Sequence, residues 1–294
     1  MYRSLAEAIA DAEREGRTLS QVALAREAAD QGRTVEDIRS ALGRALVVMR
    51  GAVKDGLTGD LYSASGLVGG DAAKLRTGPA GPLAGTLFRD ILARALAVQE
   101  VNAAMGVIVA APTAGGAGVL PAVLTGLAAA RGIGDDRVID ALATAGLIGA
   151  VIADRASLSG AEGGCQAETG SAAAMAAGAA TEMLGGTPAQ AGHAIALTMQ
   201  GTLGLVCDPL GGLVELPCVF RNATGAAIAL AGIEMALAGI TFAIPVDEVI
   251  DVMGEIGRTM DVRYRETAGG GLAATPTGRR LARERLVQIK RSDG

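Results

Sequence analysis

The sequence predicts an all-α fold: a compact helical domain rich in Ala and Gly, with glycine-rich functional loops and an N-terminal helical preface. No stretch alternates apolar and polar residues with an enrichment in β-branched side chains, so no strand is predicted. Apolar residues instead recur at spacings of three and four, behind residues that typically cap helices. Clusters of glycine and proline separate these periodic segments and are typical of loops.

The first 55 residues predict three short helices, at 4–15, 19–30 and 35–54, which form the N-terminal segment 1–55. Thr34 is the expected N-cap of the third helix. Its apolar stripe, which should dock on the main body, consists of Ile38, Leu42, Leu46 and Met49. Residues 56–294 are expected to form the catalytic domain, packed as one unit with the first segment, because no long linker separates them.

The main body alternates loops and helices. Loops are predicted at 55–74, at 77–85 and in the glycine-rich stretch 268–278. A capping box with proline in the first helical position runs from Thr187 to Gln190, and Asp135 is the expected cap of an earlier helix. Further helices are predicted at 86–101, 139–154, 170–184, 222–239 and 246–260, and the charged tail 282–294 is predicted to end the chain as a frayed helix.

Composition argues against two classes of partner. The net charge is −5, and three Phe, three Tyr and no Trp leave little for base stacking, so no nucleic acid is expected. The uncharged run 101–130 is long enough for a membrane span, but prolines and glycines interrupt it, and we interpret it as buried core with no membrane expected. An odd cysteine count and an amphipathic start without a signal peptide predict a cytoplasmic protein.

The three cysteines, Cys165, Cys207 and Cys218, are predicted to lie in loops rich in glycine and proline. Three thiolates that leave one coordination position open are typical of a catalytic metal site. The alternative is that they are buried small apolar side chains, which is how free cysteine usually behaves, and their spacing matches no recognised short ligand pattern. The residues alone leave both interpretations open.

Several motifs in order resemble the alpha subunit of bacterial iron-sulfur-dependent L-serine dehydratase (L-serine ammonia-lyase). They are EVNAAMG from Glu100, APTAGGAG from Ala111, SGAEGGCQAETGSA from Ser159, LGLVCDP, GLVELPC, IPVDEVIDVM from Ile244 and RETAGGGLAATPTGR from Arg265. The resemblance implies a lyase with a 4Fe-4S cluster held by Cys165, Cys207 and Cys218, whose open iron acts as a Lewis acid on the hydroxyl of L-serine. It implies no pyridoxal phosphate, and lysine is scarce.

The resemblance also implies L-serine as substrate and a beta subunit as partner. It leaves the general base unidentified, with the beta subunit as a candidate source. His193 is not expected to be that base. The candidate substrate-binding residues lie in small-residue loops and beside them: Ser63, Ser65, Gly66, Asn102, Thr113, Gly115 and Gly116. Where the family motif carries a second threonine this chain has Val68, which leaves position 68 without a hydroxyl. Two alternatives remain: another 4Fe-4S hydro-lyase acting on a small hydroxy acid, and a non-catalytic membrane or packing subunit.

Overall fold

The computed structural model describes residues 2–79 and 85–292. Within these ranges the chain is helical with two isolated β-bridges and no strand, which confirms the predicted all-α class. The helices are α1 (Leu5–Glu15), α2 (Leu19–Gln31), α3 (Val35–Gly56), α4 (Asp71–Thr77), α5 (Thr86–Ala103), α6 (Val119–Arg131), α7 (Asp135–Arg155), α8 (Gly160–Gly163), α9 (Ser171–Met183), α10 (Pro188–Met199), α11 (Cys218–Leu237), α12 (Val246–Thr259) and α13 (Pro276–Ser292).

Side-chain caps explain where four of these helices begin. The Ser4 side chain accepts a hydrogen bond from the third residue beyond it, at the start of α1. Thr18, Thr34 and Thr187 each form a complete capping box, in which the side chain three residues later accepts a hydrogen bond from the backbone of the cap. The predicted starts of α2, α3 and α10 are therefore confirmed, and their cause is local in the sequence.

Helix α9 lies at the centre of the core and contacts α6, α7, α10 and α11. All of its residues from Ser171 to Met183 are buried, and most of them are alanine, so the neighbouring helices approach closely. Gly178 marks the closest approach. A Cβ atom at this position would lie 2.6 Å from Ile148 Cδ1 and 2.8 Å from the Ile195 side chain. The small residues of α9 thus set the spacing of the whole bundle.

The N-terminal helices share this core, because buried residues of α1, α2 and α3 belong to the same apolar cluster as α9. Asp247, near the start of α12, binds the start of α1: its carboxylate accepts from Ser4 Oγ at 2.7 Å, Leu5 N at 2.9 Å and Ala6 N at 3.0 Å. Helix α3 pairs with α7 through ion pairs, including Arg50 with Asp135 at 2.6 Å. Polar contacts therefore fix the preface in one orientation.

Four predicted boundaries were wrong. The predicted loop 55–74 ends early, because α4 begins at Asp71, where Glu100 accepts hydrogen bonds from the first two backbone N–H groups. Gly134, not Asp135, is the cap of α7. Helix α11 begins at Cys218, four residues before the predicted start. Helix α13 begins at Pro276, before the predicted tail helix. Residues 80–84 of the predicted loop 77–85 and residues 293–294 of the tail lie outside the described residues.

The uncharged run 101–130 ends in α6. Residues Ala114–Arg131 form the one segment in the described ranges that is long and apolar enough to cross a membrane, and 78% of it is buried inside the protein. A helix that contacts α5, α9 and α11 needs apolar residues on most of its surface. The interpretation of this run as core holds for α6, whereas Met105 and Val107, in the loop before it, are exposed.

Candidate active site

The three cysteines lie in three different secondary-structure environments. Cys165 precedes a π-helical turn, Gln166–Gly170, that leads into α9. Cys207 lies in an extended segment that forms a bridge with Arg265. Cys218 is the first residue of α11, directly after Pro217. The prediction that all three lie in loops was therefore wrong for two of them. Cys165 has helical backbone angles before the π-helical turn, and Pro217 starts a helix at Cys218 instead of ending one.

All three thiols are free and buried, with exposed fractions of 3%, 2% and 5% in chain order. Burial raises the pKa of Cys207, and the charges of Glu168, Cys165 and Cys218 raise it further. Burial, with Cys165 next in size, raises the pKa of Cys218 to about 12. The pKa of each of these two thiols is therefore influenced by the charge of at least one other thiol.

Arg221 supplies positive charge beside these thiols. Its guanidinium donates to Val206 O at 2.8 Å and pairs with Asp208 Oδ1 at 2.8 Å. Burial lowers the pKa of Arg221, but the charges of Cys165 and Asp208 outweigh it and the net shift is upward. This cation lowers the pKa of Cys165 and of Cys218 against the larger effect of burial. Arg221 thus offsets part of the rise in the pKa of Cys165 and Cys218, although the pKa of all three thiols remains raised.

The segment around Arg265 holds Cys207 on both sides. Cys207 N donates to Tyr264 O, and Glu266 N donates to Cys207 O, each at 2.8 Å. Asp208 Oδ2 accepts from Leu272 N at 2.6 Å, which adds a second connection to the glycine-rich stretch. Two motifs far apart in sequence thus form one structure around a single thiol.

Glu168 lies among the cysteines and the loop 113–116. Its Oε1 accepts a hydrogen bond from Thr113 Oγ1 at 2.7 Å, and its Oε2 lies 3.8 Å from Cys207 Sγ. A Cβ atom on Gly115 would lie 2.8 Å from Oε1, and one on Gly160 would lie 2.6 Å from Oε2. Burial raises the pKa of this carboxyl, and the hydrogen bond from Thr113 opposes the shift. Glycine is required at both positions because the carboxylate fills the space.

Asn222 connects the loop 113–116 to Cys218. Its Nδ2 donates to Gly115 O at 2.7 Å and to Cys218 O at 2.9 Å, and its Oδ1 accepts from Gly118 N at 2.9 Å. The side chain is fully buried. The candidate residue Asn102 is more remote, because its Nδ2 meets only Gln99 Oε1, at 3.5 Å. Gln99 itself donates to Ala114 O at 2.8 Å and is the second support of the loop.

Ser63 and Ser65 are predicted to bind the substrate, but the hydroxyls of both donate hydrogen bonds to Glu215. Ser63 Oγ donates to Glu215 Oε2 at 2.8 Å, and Ser65 Oγ donates to the same oxygen. Gly66 has a φ of 68°, which a turn of this kind requires. Val68 is buried against an apolar cluster that includes Leu96 and Val219, so its side chain packs in the core. These hydrogen bonds tie the loop that contains Ser63 and Ser65 to Glu215, which lies three residues before Cys218.

Two observations complete the assignment of candidate residues. His193 lies on α10, where its Nδ1 accepts from Phe242 N at 3.2 Å. Within residues 2–79 and 85–292, no three His, Cys, Asp or Glu side chains converge closely enough to hold a single metal ion. Sequence reasoning missed Glu168, Glu215 and Gln99 as site residues, and their proximity to the cysteine motifs was the signal that could have indicated the first two.

The comparisons with known proteins decide the family. The model of the serine dehydratase alpha chain matches residues 14–273, which is most of the chain. The chain belongs to the serine dehydratase alpha chain family. It is 50% identical over 288 residues to the probable L-serine dehydratase alpha chain of Bacillus subtilis (strain 168), covering 97% of this chain and 95% of that one.

Two further relatives of this family differ in length. The L-serine dehydratase alpha chain of Peptoniphilus asaccharolyticus is 43% identical over 259 residues, covering 87% of this chain and 88% of the relative. The L-serine dehydratase of Streptomyces coelicolor is 43% identical over 248 residues, which are 82% of this chain but only 54% of that protein. Serine dehydratases therefore include proteins about as long as this chain and proteins nearly twice the aligned length.

Proposed function

We propose that this chain is the alpha subunit of an L-serine dehydratase, a lyase that converts L-serine into pyruvate and ammonia. The observation that supports the proposal is that a chain of the serine dehydratase alpha family holds three buried free thiols. Cys207 lies against Glu168, the partner of Thr113, and Asn222 joins Cys218 to Gly115. Loss of water across the Cα–Cβ bond gives an enamine, which tautomerises to an imine and hydrolyses to the two products. The expected role is serine degradation in the cytoplasm.

The three thiols fit a 4Fe-4S cluster better than they fit a single ion. One metal ion needs its ligands about 2 Å away on all sides, and the described residues offer no such group. A cluster binds each thiolate through a separate iron, so the cysteines that hold it lie farther apart than the ligands of one ion. Cys165, Cys207 and Cys218 would hold it, and when bound it supplies a Lewis acid for the departing hydroxyl.

The residues of this chain have defined tasks under the proposal. Thr113, Gly115 and Gly116 form the loop that faces the site, and Gln99 and Asn222 fix its backbone at Ala114 and Gly115. A loop that is held in place from below can present N–H groups to a carboxylate without being reordered. Ser63 and Ser65 fulfil a supporting role, because Glu215 occupies their hydroxyls.

We propose that a beta chain completes the enzyme. Two relatives of similar length are named alpha chains, and this chain spans about half of the Streptomyces protein, so the remaining half is the natural counterpart of a separate chain. The general base for the Cα proton is then expected from that partner. His193 is engaged by Phe242 and stays outside the proposed chemistry.

Anaerobic reconstitution tests the function. The chain loaded with iron and sulfide and mixed with the beta chain is expected to release pyruvate from L-serine, and the chain without iron is expected to be inactive. A panel of small hydroxy acids tests the alternative of another hydro-lyase acting on a hydroxy acid. Dehydration of a hydroxy acid in place of L-serine would refute the substrate, and full activity of the iron-free chain would refute the mechanism.

A further inference from the structure

Serine carries three polar groups, and the proposed site has so far accounted for two. The hydroxyl leaves, and the carboxylate can be met by backbone N–H groups of the loop 113–116. The α-ammonium group remains, and it separates L-serine from a simple hydroxy acid. A buried ammonium needs an anionic or strongly accepting partner, because an unpaired charge in a desolvated site is costly.

Six carboxylates lie on the segments that surround the thiols, and the hydrogen bonds of four of them lead away from the thiols and from the loop 113–116. The six are Glu100, Glu162, Glu168, Asp208, Glu215 and Glu266. Glu100 caps α4 through Oε1, while its buried Oε2 has no hydrogen-bond partner. Glu162 is exposed and accepts from Ser157. Asp208 pairs with Arg221 and accepts from Leu272 N, and Glu215 accepts from two serine hydroxyls. Glu168 and Glu266 remain.

Glu168 is the better placed of these two. Its Oε1 is held by Thr113, at the start of the candidate substrate loop, while its Oε2 has only the weak donor Cys207 Sγ at 3.8 Å. The carboxylate is therefore anchored by one oxygen and presents the other toward the thiols. Glycines at 115 and 160 leave room for it. Glu266 has no comparable anchor, and its backbone N–H is bound to Cys207 O.

We infer that Glu168 is the specificity-determining residue that binds the α-ammonium group of the substrate. The inference rests on the proposed function. An anchored carboxylate with one open oxygen beside the site selects an amino acid over a hydroxy acid of the same shape. The pairing is a charge-assisted hydrogen bond in a largely desolvated place, where such bonds are strong.

The test compares ligands with and without the ammonium group on the loaded two-chain enzyme. Glu168→Gln is expected to raise the KM for L-serine about 100-fold. The same variant is expected to weaken the binding of L-alanine, measured by calorimetry, by the same factor. The affinity for 3-hydroxypropionate is expected to change by no more than about twofold. Glu162→Gln is the matched control, because Glu162 lies three residues before Cys165 as Glu168 lies three after it, and no change is expected.

A second variant and three outcomes keep the inference open to refutation. Thr113→Val removes the hydroxyl that holds Oε1 and keeps the backbone N–H groups of the loop, so it should weaken the binding of L-alanine selectively while iron content stays unchanged. If Glu168→Gln weakens the binding of L-alanine and of 3-hydroxypropionate equally, or weakens the binding of neither, the inference is overturned. Selective loss in Glu266→Gln without loss in Glu168→Gln overturns it as well. A wild-type enzyme that does not turn over L-serine would instead refute the proposed function.

Discussion

Replacement of Asn222 by alanine should be among the most damaging single changes in the chain. The side chain is completely buried, and it satisfies Gly115 O, Cys218 O and Gly118 N at distances of 2.7 to 2.9 Å. Alanine leaves Gly118 N and Gly115 O without their side-chain partner in a buried place. Each unsatisfied buried group costs on the order of 1–3 kcal/mol, so we expect a loss of about 2–5 kcal/mol in the free energy of unfolding.

Chemical denaturation of the reduced, iron-free chain measures this loss, with helical circular dichroism as the signal. Asn102→Ala is the matched control, because this partly buried asparagine makes one hydrogen bond at 3.5 Å, and we expect less than about 0.5 kcal/mol. The slope of the transition should be the same in all three proteins. If Asn222→Ala loses less than about 1 kcal/mol, or no more than Asn102→Ala, the reasoning about the buried amide is refuted.

Three further changes test other parts of the fold by the same measurement. Gly178→Ala forces a methyl group into the packed core and should lower the free energy of unfolding by about 1–3 kcal/mol. Gly146→Ala, where a Cβ atom would have nothing within 4 Å, should be neutral or slightly stabilising. Equal effects of the two substitutions would contradict the account of close packing. Asp247→Ala removes three hydrogen bonds to the start of α1 and should cost about 1–2 kcal/mol, and an unchanged midpoint would mean that this contact does not hold the preface. Burial raises the pKa of Glu182, so its contribution is present below the unfolded pKa and is lost as pH rises through the folded pKa. Unfolding free energy should therefore fall less between pH 4.5 and 8 in Glu182→Gln than in the wild type, and identical pH profiles would contradict this.

The elements that could be predicted from sequence are those whose cause is local. Thr34 and Thr187 each satisfy backbone groups within three residues, so the sequence contains the whole interaction. The start of α4 could not be predicted in this way. Its first backbone N–H groups are bound by Glu100, a residue of α5, and nothing near Asp71 in the chain indicates that contact.

The candidate site divides in the same manner. The three cysteines and the loop containing Thr113 could be identified from motifs, and the structure places Thr113 and Cys207 against the carboxylate of Glu168. The roles of Ser63 and Ser65 could not be read from their hydroxyls, since the partner Glu215 lies some 150 residues further along the chain. A pattern of small polar residues indicates a loop built for close approach, but the tertiary fold decides whether it contacts a ligand or another part of the protein.

Shared ligation by three cysteines is the central claim, and iron and sulfide analysis of the anaerobically reconstituted chain tests it most directly. The wild type is expected to bind about four iron and four sulfide and to be brown. Cys165→Ala, Cys207→Ala and Cys218→Ala should each lose most of the iron and the visible absorbance, while Thr144→Ala, a buried substitution on α7, should retain both. Full iron content in any one of the three cysteine variants would contradict the claim.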